Sequence, residues 1–67
     1  MSVIVREKAS AILEAANEEQ RRSLLIDRHY GAPYSFWSSA KAYGLATDED
    51  VQQARSSYGN LWHYRGD

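Results

Sequence analysis

The chain has 67 residues, no cysteine, and eight basic against nine acidic side chains, for a formal net charge of −1. A chain of this size buries only ~60% of the surface its unfolded form exposes, and without cysteine neither disulfides nor thiolate metal sites make up the shortfall. The usual supplement that remains is oligomerisation or a partner protein. The near-neutral charge provides no field to draw the chain onto nucleic acid or an anionic membrane.

The first element has helical composition. Residues 6–30 contain no Gly or Pro and are rich in Ala, Glu, Arg and Leu. Val5, Ala9, Ile12 and Ala16 fall at helical spacing with Leu13 beside them, one apolar stripe. The opening Val3-Ile4-Val5 is an apolar run that no other in the chain exceeds, and it suits a first helical turn or a disordered end better than a strand. It is far too short for a signal-peptide core or a spanning helix, so a cytoplasmic location and no membrane partner are expected.

The stripe fades at Asn17, where Asn17-Glu18-Glu19-Gln20 has the form of a capping box. Either one helix covers 5–29 or two helices meet near 17. Glu18 and Glu19 stand at pairing distance from Arg22 on both readings. Gly31 and Pro33 close this segment, and Pro33 suits the first turn of a second element over 33–43 that ends at Gly44. Thr47 then reads as the N-cap of a final helix over 48–64, with Asp48, Glu49 and Asp50 at its positive end. Val51, Ala54, Tyr58, Leu61 and Trp62 keep one face of that helix apolar through Gly59. On this reading Arg65 lies in the last turn, Gly66 is the stop, and the terminal Arg-Gly-Asp is punctuation rather than an adhesion signal.

The fold class expected is therefore all-α, a single domain spanning 1–67 built of three or four short helices. All eight aromatic residues lie in the second half of the chain. Tyr30, Tyr34 and Trp37 share one helical face and Phe36, Ala40 and Tyr43 another, and burying both in so small a domain is not expected. Tyr closing a helix against the core before a Gly explains Tyr30-Gly31, Tyr43-Gly44 and Tyr58-Gly59.

Interface hot spots favour Trp, Tyr and Arg. Tyr34, Trp37, Tyr58, Trp62, Arg28 and Arg55 are thus the expected partner-binding residues, although at least one tryptophan also suits the core between the last two helices. The function expected is a non-enzymatic protein-binding module, an adaptor, modulator or inhibitor, acting as a homo-oligomer or in a complex with another protein. In size and style the chain resembles the small regulatory proteins encoded by phages and plasmids, without a residue match, and no property of theirs is carried over.

The alternative is a helix-turn-helix DNA-binding regulator using residues 36–55, with Ala40, Gly44 and Leu45 tracing the motif's outline. Three carboxylates opening its second helix oppose phosphate, so nucleic acid is the less favoured partner. Arg21, Arg22 and Arg28 are its better contacts. Catalytic, metal and cofactor chemistry finds no pattern. Asp27, His29 and His63 are scattered, the serines sit in no strained elbow, no Gly-rich phosphate loop occurs, and calcium-loop spacing is missing.

Overall fold

The computed structural model describes residues 3–30 and 33–63. They form four helices, α1 (Val3–Ala15), α2 (Glu18–Tyr30), α3 (Pro33–Ala42) and α4 (Asp48–Tyr58), followed by a 3₁₀ turn, Gly59–Leu61. No strand occurs among the described residues. Helix α3 packs on both α2 and α4, and α1 leans on the same two.

Helix α1 begins at Val3, so the β-branched trio forms a helical turn. Val5, Ala9, Ile12 and Ala16 are buried and Leu13 packs beside them, as the stripe requires. The chain then breaks. Asn17 Oδ1 accepts the Gln20 amide at 2.8 Å and Gln20 Oε1 accepts the Asn17 amide at 3.1 Å, the reciprocal box that starts α2. Two helices stand here rather than one over 5–29.

Arg21 fixes the corner between them. Its guanidinium donates to the carbonyls of Leu13 (2.9 Å) and Ala16 (2.8 Å), satisfying acceptors that the end of α1 leaves orphaned. The expected pairs of Glu18 or Glu19 with Arg22 do not form. The ion pairs of the described residues are Lys8 with Asp50, at 3.6 Å, and Lys41 with Asp48. Exposed pairs gain little against the entropy of holding two long side chains together.

As expected, the two aromatic faces about α3 are not both buried: Tyr30 and Tyr34 of the first are exposed although its Trp37 is not. Phe36, Trp37 and Ala40 are all buried between α2 and α4, while Tyr34 at the start of the helix and Tyr43 just past its end stay exposed. Gly44 (φ 77°) then closes α3. Its amide donates to the Lys41 carbonyl (2.9 Å) and the Leu45 amide to the Ala40 carbonyl (2.8 Å), the paired bonds of a Schellman motif.

Thr47 caps α4 as its sequence implies. Its Oγ1 accepts the Asp50 amide at 3.1 Å while Asp50 Oδ2 accepts the Thr47 amide at 3.0 Å. The far end differs from the helix expected over 48–64. Gly59 adopts φ 57° and its amide returns to the Arg55 carbonyl, so the α-helix stops at Tyr58 and tightens to 3₁₀. The changed period turns Leu61 outward while Trp62 goes in, splitting a face expected to be continuous. Gly31 lies outside the described residues, as do Tyr64 and the Arg65-Gly66-Asp67 tripeptide with its proposed stop.

The core comprises Val5, Ala9, Ile12, Ala16, Leu24, Phe36, Trp37, Ala40, Ala46, Ala54 and Trp62. Five of these are alanines, and the largest fully buried side chains are Trp37, Ile12 and Leu24.

Candidate functional site: an aromatic cluster at one end of the bundle

The start of α3 meets the segment by which the chain leaves α4. Pro33 sets the first turn of α3 and needs no amide partner. The next amide, Tyr34, is an orphan of that helix terminus and donates instead to the Trp62 carbonyl at 3.0 Å. That bond ties the start of α3 to the segment after α4.

Around it the rings assemble. Tyr34 lies edge-on to Trp62, with centroids 6.0 Å apart, and tilted against His63 at 5.1 Å. Trp62 also meets Tyr58 at 6.2 Å. Burial raises the Tyr58 phenol above its ordinary pKa of 10.0, and the positive charge of Arg28 opposes that shift.

Of the six expected partner-binding residues, Tyr34, Tyr58 and Trp62 are thus brought together, and Arg28 is exposed on α2. Trp37 does not join them; it sits between α2 and α4 against Phe36, 2% exposed. Trp62 belongs to the cluster yet is only 5% exposed, so it supports the surface from below. Both tryptophans belong to the chain's own core. Arg55 is exposed on α4 one turn before Tyr58. Tyr34 is 48% exposed and Leu61 56%, and Tyr30 and His63 are also open to solvent. Leu61 was expected on the apolar face of the last helix, and its outward placement follows from the turn at Gly59.

Of the tyrosines expected to close helices against the core, only Tyr58 does so; Tyr30 and Tyr43 are exposed. Tyr43 instead reaches across α2, donating from its hydroxyl to Ser23 Oγ at 3.1 Å. Ser39 Oγ donates to Asp27 Oδ2 at 2.9 Å, so α3 is bonded to α2 at two points.

The arginines of the alternative reading are differently employed. Arg21 is bound to the end of α1, while Arg22 and Arg28 are exposed on α2. Residues 36–55 do form helix, turn and helix, and Asp48 and Glu49 lie exposed in the first turn of the second. Asp50 there is held below its ordinary pKa of 3.8, chiefly by the Thr47 amide and also by Lys8, against a smaller opposing effect of burial. Asp27, His29 and His63 form no common site, and no group of three metal-ligating side chains occurs among the described residues. None of the described helices is long and apolar enough to cross a membrane.

No family model, curated relative or solved structure matches the chain.

Proposed function

We propose that the protein is a small non-enzymatic protein-binding module whose partner docks on the aromatic end of the bundle. The observation that carries this reading is Tyr34: a half-exposed ring held at its backbone by Trp62 and braced on two further rings. An aromatic side chain already fixed in place loses little entropy on binding, and such anchors dominate interface energetics. Leu61 and Tyr30 extend the apolar area, and Arg28 supplies a cation at its edge, where charge directs approach. The work is that of an adaptor, modulator or inhibitor in the cytoplasm, and the regulatory role expected of such a small chain belongs to the same proposal. Helix-turn-helix recognition of DNA remains the rival, opposed by the carboxylates that open α4.

Affinity capture with immobilised wild type, Tyr34→Ser and Leu61→Ser tests it. Wild type should recover a specific protein that both variants, folded by circular dichroism, lose at least tenfold. Equal recovery by all three would overturn the site. Salt-sensitive binding to duplex DNA, abolished by Arg22→Ala with Arg28→Ala and indifferent to Tyr34→Ser, would replace the reading with its rival.

A further inference from the structure

The aromatic end of the bundle is also its cationic end. Helix α3 runs antiparallel to both neighbours. On one side Ser39 bonds Asp27 of α2, and Tyr43, further along, bonds Ser23, further back. On the other, Lys41 meets Asp48 at the start of α4, and the Tyr34 amide meets the Trp62 carbonyl beyond the end of α4. The last turns of α2 and α4 therefore sit where α3 begins, and they bring Arg28 and Arg55 there, both exposed. Arg28 stands four residues after the fully buried Leu24, so it continues the side of α2 that faces the core. Arg55 stands three residues before Tyr58, its neighbour on the surface of α4.

Neither arginine has an ion pair among the described residues. The carboxylate in the same turns, Asp27, is half-buried and already accepts the Ser39 hydroxyl at 2.9 Å. At the opposite end the first turns of α2 and α4 hold Glu18, Glu19, Asp48, Glu49 and Asp50. Of the cations near those, Arg21 is bonded to the end of α1 and Lys41 is paired with Asp48. A net charge near zero thus covers a bundle polarised from end to end.

We infer, resting on the reading of the aromatic end as the docking site, that its partner presents an acidic apolar peptide segment. One large apolar side chain packs on Tyr34 and Leu61, and carboxylates flanking it meet Arg28 and Arg55. A guanidinium takes a carboxylate through two parallel N–H donors, and at the edge of an apolar contact such pairs set approach and register. A basic segment would meet two like charges instead. Two cations also give a phosphate backbone little to hold, since affinity there rests on many such contacts.

The helix dipole favours a cation at either terminus with or without a partner, so the deciding measurement is of ligand preference rather than stability. Random displayed peptides are selected on immobilised wild type, with folded Tyr34→Ser or Leu61→Ser as the counter-target. Peptides retained by wild type alone should be net acidic around one or two large apolar residues. One of them, resynthesised, should bind Arg28→Gln with Arg55→Gln about fivefold more weakly than wild type. Its twin with Gln for each acidic residue should bind both proteins alike. Arg28→Glu with Arg55→Glu should turn the selection toward basic peptides; should that reversal unfold the chain, the double Gln variant still decides. Retained peptides that are neutral or basic, or acidic ones that bind the folded double Gln variant at wild-type strength, would overturn the acidic partner and leave the docking site standing. Failure to recover any peptide that distinguishes wild type from the counter-targets would overturn both. Tighter binding of single-stranded oligo-dT than of any selected peptide, lost in the double Gln variant, would assign the two cations to phosphate and overturn the inference.

Discussion

Single residues carry much of the definition of this small fold, because several bonds close the helix ends. Replacing Thr47 with Ala removes one half of a reciprocal cap and should cost about 1 kcal/mol in urea denaturation. Asp50 supplies the other half and also meets Lys8. Its folded pKa is depressed, so its stabilisation is fully present above the unfolded value near 3.8 and is lost as pH falls through the lower folded value. Wild type should therefore lose stability below about pH 4 more steeply than Asp50→Asn, which has no such carboxylate to protonate. Matching acid limbs for the two proteins would show that the cap does not govern the charge. Arg21→Ala leaves two carbonyls of the α1 terminus without a donor and should cost on the order of 1–3 kcal/mol in thermal unfolding. Arg21→Lys should recover only part, because a single ammonium does not reproduce the guanidinium fork.

At the scale of elements, what the sequence made legible follows from how local each signal is. The stripe of Val5, Ala9, Ile12 and Ala16, the box at Asn17 and Gln20, and the cap at Thr47 are all complete within a few residues, and each is found where its letters put it. The choice between one helix and two over 5–29 stayed open because Arg21, which braces the corner, acts across five and eight residues on backbone that propensity does not address. Gly59 misled for a related reason. Its apolar neighbours continue a helical period on paper, but its backbone takes a positive φ that favours glycine, and the period is reset before Leu61. The position is testable: Gly59→Ala should destabilise by about 1–2 kcal/mol and alter the near-ultraviolet circular dichroism of Trp62, whereas the neighbouring Asn60→Ala should do neither. The candidate site was half visible. Its aromatic letters stand out, but which rings face inward is set by the packing of α3 between two helices, a fact of tertiary structure.

For the molecule as a whole, a core with five alanines and few large side chains has little reserve. Domains carry roughly 0.05–0.15 kcal/mol of stability per residue, and removing a buried Trp costs about 3–5 kcal/mol. Trp37→Ala should accordingly unfold most of the chain at 25 °C, seen as lost helical dichroism, while Leu61→Ser should change stability by less than about 0.5 kcal/mol. That contrast separates residues that build the bundle from those free to meet a partner. The most direct measurement of the partner surface is a titration of isotope-labelled chain with the protein recovered by capture, followed by amide chemical shifts. Binding at the aromatic end predicts perturbations concentrated at Tyr30, Tyr34, Leu61 and His63. Shifts concentrated instead at Ile4, Lys8 and Gln53, on the groove between α1 and α4, would contradict it.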